Sequence, residues 1–127
     1  MSRILLVEDD PELSEAISTT FRNVGHRVMT ARHGGDALDQ LREGDLPEVV
    51  VLDLMMPVMD GIQFLQAARA DERLRSLPVV VITSGDQDLP FGAQAIVRKP
   101  ADMDVLLSMV GEHCAHAKAR GRAYPAT

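Results

Sequence analysis

Acidic side chains follow two short apolar runs of the sequence. Glu8 and Asp9 come directly after ILLV, and Asp53 comes directly after VVVL. In an open α/β sheet ligands bind beyond the carboxyl ends of the strands, at the crevice where the winding direction switches. Three carboxylates gathered there are costly unless a cation screens them or some are protonated. Because oxygen ligands suit a hard ion, the sequence predicts a Mg²⁺ site at Glu8, Asp9 and Asp53.

Two further groups suggest that an anion binds beside these acids. Thr83 ends a fourth apolar run with a hydroxyl donor, and Lys99 ends a fifth with a mobile ammonium. A phosphoryl group added to Asp53 could be held by both side chains. Asp53 is therefore a candidate nucleophile in phosphoryl transfer, where positioning and charge neutralisation do most of the catalysis.

Each of these residues also has a plainer interpretation. Runs of acids are usually solvated surface, and a threonine or lysine at a strand end usually only meets water. Asp10 precedes Pro11, so helix capping is favoured over metal binding at that position. The constellation as a whole, rather than any single residue, favours the chemical interpretation.

The elements that must position these groups alternate along the chain. Short Val-, Ile- and Leu-rich runs alternate with segments whose apolar residues are three or four apart, as in βαβ units. Runs that are apolar on both faces are typical of parallel strands covered by helices. We predict a doubly wound, five-stranded parallel sheet of order 2-1-3-4-5, flavodoxin-like, with helices on both faces. Helices are predicted to start after Asp10, at Asp36, after the cap Asp60 and at Asp102.

The interval between the fourth and fifth strands breaks the alternation. SGDQDLPFGA contains two glycines and a proline, so the fourth helix is predicted to be shortened or absent. Its absence would uncover apolar surface, which either Leu89 and Phe91 fold over or a partner protein occupies. Of these two possibilities, coverage by Leu89 and Phe91 is favoured.

Length and composition exclude several classes of protein. The 127 residues suit one domain, predicted at 1–118, followed by a flexible basic tail at 119–127. A net charge of −6 argues against direct nucleic-acid binding. The apolar runs are too short to span a membrane, and with the single Cys114 this favours a cytoplasmic location.

Four stretches together resemble the signature motifs of receiver domains from two-component response regulators. In order along the chain they are ILLVEDDP, VVVLDLMMPVMDG, VVVITSG and VRKPA. The resemblance implies that Asp53 is the phosphorylated aspartate, that Thr83 is the switch hydroxyl and that Lys99 is the family's lysine. It also implies that Glu8 and Asp9 are the acidic pair, and that Met55 offers its backbone carbonyl to Mg²⁺.

The same resemblance implies a mechanism and partners. A phosphohistidine on a sensor histidine kinase or histidine phosphotransfer protein would donate to Asp53, and small acyl phosphates could also serve as donors. The acyl phosphate would pull Thr83 inward and shift the population of two surface conformations. Such a protein is not an enzyme in the usual sense, but it promotes its own phosphorylation and slow dephosphorylation. Its downstream protein target and oligomeric state are not indicated by the sequence.

The sequence has an unusual spacing and unusual residues at several positions of the receiver pattern. Thr83 and Lys99 are only 16 positions apart, and the switch position usually held by Tyr or Phe is Ile96. Met55 and Gly85 occupy two positions that influence how water reaches the phosphoryl group, and neither side chain can orient water by a hydrogen bond. We therefore expect an altered output face and slow loss of phosphate.

Two other functions remain as alternatives. The chain could be the N-terminal receiver of a larger regulator whose output domain follows Thr127. It could also be an aspartate-nucleophile phosphatase. Those enzymes carry a second acid two residues after the nucleophile, where this chain has Met55, so the phosphatase is disfavoured.

Overall fold

The computed structural model describes residues 2–54, 61–83, 88–98 and 103–121. Within these ranges there are five strands and four helices, which alternate along the chain except that β5 follows β4 without a described helix between them. The strands are β1 (Arg3–Val7), β2 (Arg27–Ala31), β3 (Val49–Asp53), β4 (Val79–Thr83) and β5 (Ala95–Arg98). The helices are α1 (Pro11–Asn23), α2 (Gly34–Glu43), α3 (Gly61–Ala70) and α4 (Met103–Gly121). The prediction of a flexible tail at 119–127 stays a prediction.

All strand pairs are parallel and their order is β2-β1-β3-β4-β5, which confirms the predicted sheet. Every residue of β3 and β4 is buried because helices cover both faces of the sheet. On one face, α2 and α3 pack through Leu38, Leu41, Phe64 and Leu65. On the other face, α1 and α4 pack through Ile17, Phe21, Leu106 and Val110.

The first two helices begin at side-chain caps. The carboxylate of Asp10 accepts hydrogen bonds from the backbone N–H groups of Glu12 (3.0 Å) and Leu13 (3.3 Å), which confirms the predicted cap. Helix α2 begins at Gly34, two residues before the predicted start. The cap there is His33, whose Nδ1 accepts from the N–H of Asp36 at 3.1 Å. The predicted cap Asp60 and helix start Asp102 lie outside the described residues.

The connection from β4 to β5 is too short for an ordinary crossover helix, and its described part, residues 88–94, contains no helix. The predicted shortening of the fourth helix is therefore confirmed. The connection is attached to α3 by Arg69, whose Nε donates to the carbonyl of Gly92 at 2.9 Å. The N–H of Gln94 then donates to the carbonyl of Val79 at 2.9 Å, next to the start of β5.

The prediction that Leu89 and Phe91 fold over the exposed surface is wrong. The Phe91 side chain is 96% exposed and Leu89 is 49% exposed. Phe91 and Pro90 instead form one wall of an open groove, and α3 forms the other wall with Ile62 and Leu65. In the described part of the chain, no helix is long and apolar enough to cross a membrane.

Candidate functional site

The acids of the predicted metal site lie together at the carboxyl edge of the sheet. Strands β1 and β3 are neighbours, with Val7 opposite Leu52, so the residues that follow these two positions are brought side by side. One ligand oxygen each of Glu8, Asp9 and Asp53 lies within 4.8 Å of the others. Glu8 and Asp53 are each 2% exposed, whereas Asp9 is exposed to solvent.

The backbone around Glu8 fixes this residue at the strand end. Its N–H donates to the carbonyl of Ala31 at 3.0 Å, which extends the pairing of β1 with β2 by one step. Its Oε2 accepts from the N–H of Asp10 at 3.2 Å. Asp10 therefore orients Glu8 through its backbone while its own carboxylate caps α1.

The cluster has the chemistry of a hard-cation site. Its donors are all carboxylate oxygens, two of them on buried side chains, and like charges so close together in a partly desolvated crevice repel one another. A divalent cation would offset that repulsion. The exposed Asp9 leaves one side open to water, which suits Mg²⁺ because this ion usually keeps several water ligands in proteins. The residues present thus fit Mg²⁺.

Thr83 lies next to the acids in the adjoining strand. The register of β3 and β4 places Asp53 opposite Ile82, so Thr83 is one residue further toward the carboxyl edge. Thr83 is fully buried and lies opposite Arg98, the residue before Lys99. Lys99 and Met55 themselves lie outside the described residues, so their predicted roles stay predictions.

Ile96, at the predicted switch position, shares a sheet face with Thr83. It lies opposite Val81 and packs against the core on the α2 and α3 side. Val81 belongs to that core, and Thr83 follows it by two residues, so both side chains point to the same face. The half-buried Ile96 therefore lies on the same side of the sheet as Thr83, and its predicted role as a switch residue stays a prediction.

Two structural residues were not identified from the sequence: Gly61 beside the site, and Arg69 at the opposite, amino edge of the sheet, where β4 and β5 begin. Gly61 begins α3 against the end of β3, and its N–H donates to the carbonyl of Leu54 at 3.0 Å. Arg69 binds the connection that precedes β5. A glycine after an acid at a predicted helix start was the available signal for Gly61. Arg69 gave no signal, because its partners lie 5 to 23 residues away in the chain.

Comparison with known proteins identifies the family. The sequence model of the response regulator receiver domain family matches residues 4–111 of this chain. The chain belongs to the response regulator receiver family. It is therefore a receiver domain of two-component signalling. The protein PilH of Pseudomonas aeruginosa is 31% identical over 87% of this chain and 95% of PilH. The response regulator Rre1 of Synechocystis is 40% identical over 84% of this chain but only 49% of its own length.

Solved receiver structures have the same fold. The receiver domain of the Francisella response regulator 1452 superposes with a TM-score of 0.83 at 27% identity, covering 91% of this chain and 98% of that one. The response regulator TrrA from Thermotoga maritima, solved in complex with Mg(2+)-BeF, gives a TM-score of 0.80 at 26% identity. That match covers 89% of this chain and 99% of TrrA.

Proposed function

We propose that this receiver is a phosphoacceptor in a two-component system or phosphorelay, and that Asp53 carries the phosphoryl group. The observation that carries the proposal is the cluster of Glu8, Asp9 and Asp53 at the carboxyl edge of the sheet, with ligand oxygens within 4.8 Å of one another. TrrA, a neighbour in fold, was solved with Mg(2+)-BeF, which supports Mg²⁺ as the ion at this cluster.

The chemistry follows from the position of Asp53. One carboxylate oxygen of Asp53 attacks the phosphorus of a phosphohistidine, the P–N bond breaks, and the electron pair leaves with the imidazole nitrogen of the donor. The product is an acyl phosphate. Because Asp53 is only 2% exposed, little water competes with it for the phosphoryl group.

The remaining site residues hold the transferred group and the ion. Glu8, Asp9, Asp53 and the backbone carbonyl of Met55 would bind Mg²⁺, which neutralises negative charge on the phosphoryl oxygens. Thr83 would donate its hydroxyl to a phosphoryl oxygen from β4, and Lys99, the next residue in the sequence after β5, would offer its ammonium. The movement of Thr83 toward the phosphate then changes the surface beside Ile96.

The proposed partners follow from the same chemistry. The donor is a sensor histidine kinase or a histidine phosphotransfer protein, and the phosphorylated surface acts on a downstream protein. The net charge of −6 supports protein contact rather than direct binding to nucleic acid.

Intact-mass measurement after incubation with acetyl phosphate and Mg²⁺ tests the acceptor. We expect the wild type to gain the mass of one phosphoryl group, and no adduct to form when EDTA is present from the start of the incubation. Asp53→Asn should show no adduct, while Asp39→Asn, which changes an exposed carboxylate on α2, should behave as wild type. An adduct on Asp53→Asn at the wild-type level would refute the assignment.

A further inference from the structure

The first residue of α3 lies in close contact with the acceptor strand. A Cβ built on Gly61 would be 2.7 Å from Cα of Leu54 and 2.9 Å from the carbonyl oxygen of Asp53. Ordinary van der Waals contact for a Cβ begins near 3.4 Å, so any side chain at position 61 needs about 0.7 Å more room. Two of the atoms in the way belong to the backbone, one of them to the acceptor residue itself.

The need for glycine at this position comes from the close approach and not from an unusual backbone angle. The residues with positive φ in the described chain are Gly25 and Gly92, so Gly61 has a conformation that alanine could adopt. Helix propensity alone would even favour alanine at position 61. The absence of a Cβ is therefore required by the contact with β3.

Neither side of this contact can move freely. Both backbone polar groups of Leu54 are hydrogen-bonded. Its N–H donates to the carbonyl of Ile82 at 3.1 Å, and its carbonyl accepts from the N–H of Gly61 at 3.0 Å. Helix α3 is held as well, because its side chains Phe64 and Leu65 are 0% and 1% exposed in the core. A methyl group at position 61 must therefore displace α3, the end of β3, or both.

We propose that Gly61 is a positioning residue for phosphoryl transfer, which sets where β3 ends and hence where the Asp53 carboxylate lies relative to Glu8 and Asp9. This inference rests on the proposed function of Asp53 as acceptor. A displacement of the strand end by several tenths of an ångström moves one of three carboxylates that must act together. Misplacement by 1 Å can cost about 100-fold in rate, so Gly61→Ala should slow phosphorylation by about 10- to 100-fold.

The rate of phosphorylation by acetyl phosphate and Mg²⁺ tests this role when it is expressed per folded molecule. Circular dichroism gives the folded fraction, and the assay contains sucrose to favour the compact state. We expect Gly61→Ala to lose about 10- to 100-fold in maximal rate at saturating Mg²⁺. Gly111→Ala is the matched control, because a Cβ on Gly111 in α4 meets no atom within 4 Å, and its rate should equal that of wild type.

A wild-type rate per folded molecule for Gly61→Ala would overturn the proposal, because position 61 would then affect stability alone. A variant that stays unfolded in sucrose would overturn it as well, since the clash would act on the whole fold. The double change Gly61→Ala with Leu54→Ala removes the nearby Leu54 side chain and leaves the backbone contacts, so we expect no recovery of rate. Full recovery would contradict the proposed backbone contact.

Different results would refute the proposed function of Asp53 as the phosphoacceptor. If wild type gains no phosphoryl group, or if Asp53→Asn gains one equally well, then Asp53 is not the acceptor whatever Gly61→Ala does. A wild type that is phosphorylated on Asp53 with an unaffected Gly61→Ala rate overturns only the role of Gly61.

Discussion

Replacing Arg69 by alanine should destabilise the protein far more than replacing the exposed Arg75 by alanine. The guanidinium donates to four backbone carbonyls in two separate loops. On the α3 to β4 side it binds Leu74 (3.3 Å), Arg75 (2.9 Å) and Leu77 (2.9 Å). On the β4 to β5 side it binds Gly92 through both Nε and the second terminal nitrogen.

The magnitude follows from these contacts. Burial lowers the pKa of the Arg69 guanidinium below its ordinary value, but the group stays charged at neutral pH. Hydrogen bonds to a charged group contribute about 1.5–3 kcal/mol each when buried, and less where water can replace the donor. Three of the four carbonyls accept hydrogen bonds that are partly shielded from water. We therefore expect Arg69→Ala to lower the free energy of unfolding by about 3–4 kcal/mol. For a domain of this size that corresponds to a fall in Tm of roughly 10–15 °C.

Equilibrium urea unfolding and thermal unfolding measure the loss directly. Arg69→Lys keeps the charge but lacks the planar, forked donors, so it should recover less than half of the lost stability. Arg75→Ala is the matched control: its side chain is 58% exposed in a surface ion pair with Glu72. Its cost should stay below about 0.5 kcal/mol. If Arg69→Ala costs less than 1 kcal/mol, or no more than Arg75→Ala, the reasoning from these hydrogen bonds is wrong.

Three further predictions concern a cap, a buried hydroxyl and the lifetime of the phosphate. Asp10→Ala should cost about 1 kcal/mol in urea unfolding because α1 loses two backbone contacts, whereas Asp10→Asn should cost a few tenths. Ser18→Ala should stabilise by about 1 kcal/mol, because the Ser18 hydroxyl is 1% exposed and has no hydrogen-bond partner among the described residues; a loss of stability would contradict this. The sequence has Met55 and Gly85 at the two positions expected from the receiver resemblance to influence how water reaches the phosphoryl group, so phospho-Asp53 should decay slowly at fixed Mg²⁺, and a half-life of seconds would exclude that expectation.

The fold could be predicted from local pattern because each strand carries its own signal. Strands β3 and β4 are apolar on both faces, which alone indicates a central position in a parallel sheet. Strand β5 is only partly buried because it lies at the edge of the sheet, and it was predicted from its own short apolar run. The start of α2 was missed because His33 caps the helix, and histidine is not among the residues that usually do so.

The acid cluster could be predicted because topology alone brings its members together. Glu8 and Asp53 end adjacent parallel strands, so sheet order was sufficient to place them side by side. The role of Gly61 depends on a contact with the backbone of Leu54, and that of Arg69 on carbonyls up to 23 residues away. Such contacts depend on how α3 is seated on the sheet, which no pattern of residue types within α3 specifies.

The Arg69 contact also indicates where phosphorylation should change the surface. Thr83 ends β4 on the sheet face that it shares with Ile96, and in the described part of the connection to β5 Ala93 packs on that face while Pro90 and Phe91 lie beside α3. Arg69 binds the carbonyl of Gly92 in this connection and restrains it there. A displacement of the backbone that begins at Thr83 should therefore end at Gly92, before it reaches β5. The exposed Leu89 and Phe91 lie between these two positions.

We therefore expect phosphorylation to alter residues 88–91 while the contacts of Gly92 persist. Amide hydrogen exchange with and without acetyl phosphate and Mg²⁺ measures this difference. The N–H of Gln94, which donates to Val79, should keep its protection, while Leu89 and Phe91 change. In Arg69→Ala the change in hydrogen exchange should extend to Gln94, because the hydrogen bonds that restrain Gly92 are lost. Loss of Gln94 protection on phosphorylation of the wild type would show that Arg69 does not confine the rearrangement.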